Sequence, residues 1–272
     1  MSSARALILD CDGVLAETER SVHLPAFNGA FAEAGLPIRW SDDEYRRKLQ
    51  VSGGRERMAT SVTPELLSGL GVPSDASSVA VLLEQLHRRK GELAAEILAN
   101  GRLEARSGVR RLVGEAHTAG WRLAVASTAN EEFVRQVVLR AVGRPICEQM
   151  LVLAGDVVSV KKPDPEIYRL ALELLEVDPS EAIAIEDSRN GLLAADAAGL
   201  ACVVTVSEYS AGEDFGEARL VLTGLGDPDR PMKLLANRSP AAPGPWLALD
   251  DLESVIETVR GLSRADAEPG YR

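Results

Sequence analysis

Short apolar runs alternate with amphipathic helical stretches between residues 100 and 206, and few folds satisfy that pattern. Residues 121–126, 149–154, 182–185 and 201–206 are strand-length and mostly apolar, as expected of strands buried on both faces. Helical patterns lie between them. One opens on Asp164 as N-cap with Pro165 at the first helical position, then sets Ile167, Leu170, Ala171, Leu174 and Leu175 on one face. Another follows Arg189 and stops at Gly199. Residues 6–10 supply a further strand. This alternation predicts an α/β protein with a Rossmann-like parallel sheet and helices on both faces.

Residues 17–98 break the alternation. Segments 17–34, 42–50, 64–70 and 77–98 are helical in pattern, with turns marked by Gly35, Pro37, Gly53, Gly54, Gly69, Gly71 and Pro73. The pattern predicts an all-helical cap domain over 16–98, inserted into a catalytic core made of 1–15 and 99–272. In the tail, 236–245 reads as a Pro- and Ala-rich surface excursion, 249–262 as a last helix and 263–272 as a frayed end.

Forty-one acidic residues against 30 Lys and Arg give a formal net charge of −11. That balance excludes the basic footprint of sequence-independent nucleic-acid binding, and it suits a site that gathers a divalent cation. No apolar run approaches the roughly 20 residues of a membrane helix, and the stretch at 6–9 is too short for a signal peptide. Cys11 and Cys202 sit inside strand-like runs, so a disulfide framework is not expected. These features point to a cytoplasmic monomer without membrane or nucleic-acid partners.

The chemistry gathers at the strand ends. The first strand runs into Asp10-Cys11-Asp12-Gly13. Residues two apart on a strand share a face, so Asp10 and Asp12 project together while Cys11 points inward. Gly13 lets the chain turn at the carboxyl end, where open α/β sheets bind ligands. Paired carboxylates stay ionised only beside a cation or by sharing a proton, which leaves a metal site or an acid/base pair. An EF-hand loop is excluded because Val14 takes a ligand position and a strand precedes. A second acid pair, Glu186-Asp187, follows the strand at 182–185, with Arg189 close enough in sequence to be a structural partner.

Two donor segments lie between the acid pairs. Ser127-Thr128-Ala129-Asn130 closes the strand at 121–126 and opens a helix, either as an anion site or with Asn130 simply capping. Lys161-Lys162-Pro163 precedes the helix at 164, and Pro163 extends the chain at Lys162. Two acids, a hydroxyl, a lysine and two acids, each at a strand's end, form one constellation.

With these residues in order, the chain resembles the haloacid dehalogenase superfamily over 5–15 and about 100–222. Asp10-Cys11-Asp12-Gly13, Ser127, Lys162-Pro163 and Glu186-Asp187-Ser188-Arg189-Asn190-Gly191 match its four motifs. A helical insertion directly after the first motif resembles the β-phosphoglucomutase-like branch. Within it, Val14-Leu15-Ala16-Glu17-Thr18-Glu19, His23, Ala26-Phe27-Asn28, Gly53-Gly54-Arg55-Glu56-Arg57 and Ala211-Gly212-Glu213-Asp214-Phe215 resemble the CbbY-like group almost end to end. The Glu19–His23 spacing is one residue longer than in many relatives.

The resemblance implies a Mg²⁺-dependent phosphatase acting on a small phosphorylated sugar, with xylulose-1,5-bisphosphate favoured. Asp10 would be the nucleophile, Asp12 the acid/base, and Ser127 and Lys162 the holders of the transferring oxygens. Asp10, the carbonyl of Asp12, Glu186 and Asp187 would hold the metal. Glu17, His23, Gly53, Gly54, Arg55, Thr128, Asn130 and Asn190 would join Ser127 and Lys162 in binding substrate, with Arg55 gripping a distal phosphate. The rivals are a sugar phosphomutase, a dehalogenase, against which Asp12 counts, and a non-catalytic binding protein on the same scaffold.

Overall fold

The computed structural model describes residues 4–257. The first strand, β1 (Ala6–Leu9), leads through a turn and a short π-type turn (Glu19–His23) into α1 (Leu24–Glu33). The helices α2 (Asp42–Lys48), α3 (Gly54–Ala59), α4 (Pro64–Gly69) and the 25-residue α5 (Ala76–Asn100) follow. Then come α6 (Val109–Thr118), β2 (Arg122–Ala126), α7 (Glu131–Val142), α8 (Arg144–Cys147) and β3 (Leu151–Leu153). The chain continues through α9 (Glu166–Leu175), a 3-10 turn (Pro179–Glu181), β4 (Ala182–Glu186), α10 (Arg189–Ala197) and β5 (Ala201–Thr205). It closes with β6 (Leu220–Leu222), β7 (Leu234–Asn237) and a helix over 249–257, here α11. The rest of the expected last helix and the tail at 263–272 lie outside the described residues.

The strands form one sheet in the order β3-β2-β1-β4-β5-β6-β7, parallel except for β7. β1 is an interior strand between β2 and β4, which carries the first motif between their ends at the sheet's carboxyl edge. Alternation along β1 divides the core: Leu7 and Leu9 pack under α6 and α7, Ala6 and Ile8 under α9 and α10. On the second face Ala124, Ala126, Ala182 and Ala184 let those helices approach closely. Cys11 is fully buried in the first of these clusters.

Three expectations shift. The sheet gains β6 and β7, and residues 236–237 of the expected surface excursion belong to β7. β7 lies on the sheet edge with Leu234 and Leu235 exposed, so no buried apolar run announces it. The helix expected from Pro165 begins at Glu166, because the Asp164 carboxylate accepts the Glu166 N–H at 2.9 Å and closes a turn first. Its buried stripe is Ile167, Tyr168, Ala171, Leu172 and Leu175, while Leu174 faces solvent. That rotation turns Tyr168 into the protein, toward Glu186.

The helical segment between β1 and α6 has its own apolar cluster, built on Phe27, Phe31, Trp40, Tyr45, Met58 and Leu67. The two strands of chain that tie it to the sheet meet each other: Arg106 N–H donates to Leu15 at 2.9 Å, and Ala16 bridges Ala105. Among the described residues no helix is long and apolar enough to cross a membrane.

Because Ile183 is fully buried between neighbouring strands and Leu235 is exposed on the edge, truncation should separate them. Ile183→Ala is expected to cost ~2–5 kcal/mol, and Leu235→Ala within about 0.5 kcal/mol of nothing, both read by urea unfolding. Equal losses would contradict the assigned core.

Candidate active site

Three strand ends and one loop build the site. Asp10 follows β1, Ser127 follows β2, and Glu186 and Asp187 end β4, with Lys162 supplied by the loop before α9. Parallel pairing of β1 with both β2 and β4 sets these ends side by side. Lys162 Nζ donates to Asp10 Oδ1 at 2.7 Å, to Glu186 Oε1 at 2.5 Å and to the Ala126 carbonyl at 2.9 Å. All three of its hydrogens are therefore used. Burial alone would discharge this lysine, but Asp10 and Glu186 raise its pKa above the ordinary value. Lys162 is thus no solvated loop lysine.

Glu186 is fully buried and held from below. Tyr168 OH donates to its Oε1 at 2.5 Å, and Gly191 in the first turn of α10 lies against the carboxylate, where a Cβ would stand 2.0 Å away. Arg189, the structural partner considered from sequence, pairs instead with Glu217. Asp187 leans over Gly13. A Cβ on Gly13 would meet Asp187 Oδ2 at 2.1 Å, and its φ of +77° favours glycine as well.

Oxygens of Asp10, Glu186 and Asp187 all lie within 4.8 Å of one another. Desolvation raises the Asp10 carboxyl to about 8, with Lys162 opposing and Glu186 and Asp12 adding to it. Asp187 is pushed up for the same reason, burial first and the Asp10 and Glu186 charges next. One ammonium does not balance three carboxylates. Hard oxygen donors with an uncompensated charge fit a divalent cation.

Asp12 faces the other way, into residues of the helical segment. Its Oδ1 accepts hydrogen bonds from Thr18 Oγ1 and, at 2.9 Å, from His23 Nε2. Lys90 Nζ donates to His23 Nδ1 at 2.8 Å, which leaves the imidazole proton on Nε2, pointing at Asp12. Burial pushes the Asp12 carboxyl up, but His23, Thr18 and Lys90 together bring it down to about 2. The π-type turn carries this geometry: both Val22 and His23 N–H groups donate to the Thr18 carbonyl, at 2.9 and 3.0 Å. Through that turn His23 reaches the strand end.

Two cavities meet at Asp12. A small one of about 90 Å³ is lined by Asp10, Ser127, Lys162, Asp187 and Asn190 among others. A cleft of about 740 Å³ opens beyond it, between α5 and the loops after β2 and β3. Ser127 Oγ accepts the Ala129 N–H at 3.1 Å, so its own proton is left to donate. Thr128 lines both cavities. Asn130 caps α7 by accepting the Phe133 N–H at 3.3 Å, the capping alternative, while also lining the cleft. Asn190 donates to the Gln50 carbonyl at 3.1 Å.

Three sequence-stated residues stand apart. Gly54 borders the cleft, but Gly53 lines neither cavity. The turn expected there is the start of α3. Arg55 is 49% exposed and paired with Glu56 and Glu84, at 3.3 and 3.7 Å. Residues two apart on a helix face opposite ways, and it is Arg57 that lines both cavities, held by the Tyr45 hydroxyl at 3.2 Å. Glu17 pairs with Arg106 at 3.1 Å and lines neither cavity, whereas Glu19 lines both.

Thr18, Arg57 and Lys90 were missed in the sequence. Lys90 had a legible signal: it falls on the buried stripe Leu86, Lys90, Ala94, Leu98 of α5, where a lysine needs a reason. Burial holds Lys90 down to about 8 against 10.5. Between those values the folded chain binds fewer protons than the unfolded one, so stability rises with pH. Urea unfolding should show the parent gaining on Lys90→Met from about pH 8 to about pH 10; parallel profiles would contradict it.

Known proteins resemble this chain in sequence and in fold. The family description "haloacid dehalogenase-like hydrolase" matches residues 4–199. Protein CbbY of Rhodobacter capsulatus is 43% identical over 215 residues, covering 79% of this chain and 90% of its own. The CBBY-like protein of Arabidopsis thaliana is 43% identical over 223 residues, covering 82% and 70% respectively. A crystal structure of a CbbY mutant from Rhodobacter sphaeroides, in complex with xylulose-(1,5)bisphosphate, superposes with a TM-score of 0.71. It is 39% identical, covering 81% of this chain and 94% of that one.

Proposed function

The chain belongs to the haloacid dehalogenase-like hydrolases, and we propose that this phosphatase hydrolyses a small sugar bisphosphate through an aspartyl-phosphate on Asp10. The observation that carries the reading is the buried cluster at Asp10: an ammonium at 2.7 Å and two further carboxylates whose oxygens lie within 4.8 Å. The CbbY relative that holds xylulose-(1,5)bisphosphate supports that sugar as the substrate. On this reading 16–98 is a cap domain closing over a core of 1–15 and 99–272, and the enzyme works in the cytoplasm as a monomer.

Asp10, Asp187, Glu186 and the Asp12 carbonyl would hold Mg²⁺. When bound, it would neutralise the phosphate and the carboxylates that repel it. Lys162 fixes Asp10 Oδ1 and leaves the second carboxylate oxygen to attack phosphorus in line. Because the three Lys162 hydrogens are already engaged, its part is to aim and neutralise Asp10, and Ser127 supplies the free donor for a phosphoryl oxygen.

Asp12 stands as acid and base. It is ionised in the resting site, and an arriving phosphate dianion raises its affinity for a proton. A proton taken up from solvent as the substrate arrives passes to the departing sugar oxygen, and Asp12 then takes one from the water that cleaves the acyl phosphate and frees the Asp10 carboxylate. His23 and Thr18 aim it through both steps. Arg57, rather than Arg55, is the cap cation for a distal phosphate, since it lines both cavities and no carboxylate pairs with it among the described residues.

A phosphate-release screen over sugar mono- and bisphosphates, with and without Mg²⁺, tests the reading. Release that is indifferent to chelator, or conversion of glucose 1-phosphate without release, would overturn it. Asp12→Asn should lower kcat ~10²–10⁴-fold, and Asp10→Asn should abolish turnover. Arg57→Ala should raise KM for a bisphosphate roughly 10- to 100-fold more than for a monophosphate, while Arg55→Ala leaves both near the parent values. The reverse pattern would return the assignment to Arg55.

A further inference from the structure

The loop after β5 touches both halves of the molecule. Tyr209 leaves the sheet side and enters the aromatic cluster of the helical segment, where it is only 7% exposed. Its ring meets Tyr45 edge-on at 5.8 Å between centroids, Arg46 lies 4.7 Å over it, and its hydroxyl donates to Asp42 at 2.5 Å. Its neighbours are clasped too. Arg46 donates to the Glu208 carbonyl at 2.6 Å, Arg20 pairs with the Glu208 carboxylate at 2.7 Å, and Gln50 donates to Glu213 at 2.9 Å.

The same loop reaches the acids. Ser207 and Ser210 lock each other, with Ser207 N–H on Ser210 Oγ at 2.9 Å and the two hydroxyls 3.1 Å apart. Tyr209 therefore stands on a stiff turn. At its base Ser207 shares the space over Gly13 with Asp187: a Cβ there would lie 3.1 Å from Ser207 Cβ and 2.1 Å from Asp187 Oδ2. Glu213 accepts the Arg189 N–H at 2.6 Å, two residues beyond Asp187.

We propose that Tyr209 is a positioning residue: docked in the aromatic cluster, it sets the stiff Ser207–Ser210 turn that orients Asp187 toward the cation. The inference rests on the metal reading given above. If the helical segment swings away, Tyr209 loses its apolar seat, the turn relaxes and Asp187 is freed from its place over Gly13. Cation binding and seating of the helical segment are then two readouts of one equilibrium.

Calorimetric titration of the full chain with Mg²⁺ alone tests this without turnover. Tyr209→Ala should weaken binding about tenfold or more, as loss of a partner outside the ligand set does. Tyr209→Phe, which keeps the ring seated, should stay within about twofold. Ser207→Ala should weaken binding as well, and combining it with Tyr209→Ala should add little, because both break one lever. Should Tyr209→Ala lose its fold, Arg46→Ala with Gln50→Ala, on the more exposed side of the clasp, is expected to weaken Mg²⁺ binding in the same direction. A folded Tyr209→Ala, or the folded Arg46/Gln50 pair, binding Mg²⁺ as tightly as the parent overturns the coupling. A parent that binds no Mg²⁺ overturns the metal reading itself.

Discussion

Three carboxylates buried at adjoining strand ends need positive charge, and the architecture around them answers that need. Lys162 supplies one charge, reaching Asp10 and Glu186 together. The remaining negative charge lies between Asp10 and Asp187, whose carboxyls rise well above the ordinary range because burial and mutual repulsion act together. A buried charge without compensation is among the most costly features a fold can hold. That cost is what lifts the two carboxyls, and a divalent cation held by the cluster would relieve it.

The helical segment acts on the other motif-one acid. Asp12 is governed by Thr18, His23 and, through the imidazole, Lys90, all of which belong to the segment or its entry. Asp10 is thus set by the sheet and Asp12 by the helices. The competence of the pair depends on how the two parts sit. Arg106 reinforces the junction: from the return linker its guanidinium reaches the carbonyls of Gly13, Thr205, Val206 and Thr223. A single planar donor can pin the turn at Gly13 to the ends of β5 and β6 because its hydrogens diverge in a fixed fork.

Much of this was legible in the residues. Strand ends that run from apolar into Asp, Ser or Glu gave the sheet and the acids, since burial on both faces writes a continuous apolar run. β6 and β7 were not legible: β6 is three residues long, and β7 is an exposed edge whose stability lies in backbone pairing. Residues of the helical segment were the weakest part, because a motif such as Gly53-Gly54-Arg55-Glu56-Arg57 does not say which arginine a helix turns inward. The choice of Arg57 over Arg55 is a matter of helical phase that depends on where α3 starts. Tyr209 was hidden for a different reason, as an aromatic in a polar loop whose partners come from residues more than 150 positions earlier.

The central claim is that Asp10 accepts the phosphoryl group in the company of a divalent cation. It is tested most directly by mixing the enzyme with a sugar bisphosphate labelled in its phosphate, quenching in acid within one turnover and mapping the label by peptide mass spectrometry. The account predicts label on the peptide that carries Asp10, present with Mg²⁺ and gone when the metal is chelated beforehand. Label on another residue, or none while phosphate is released, would contradict it.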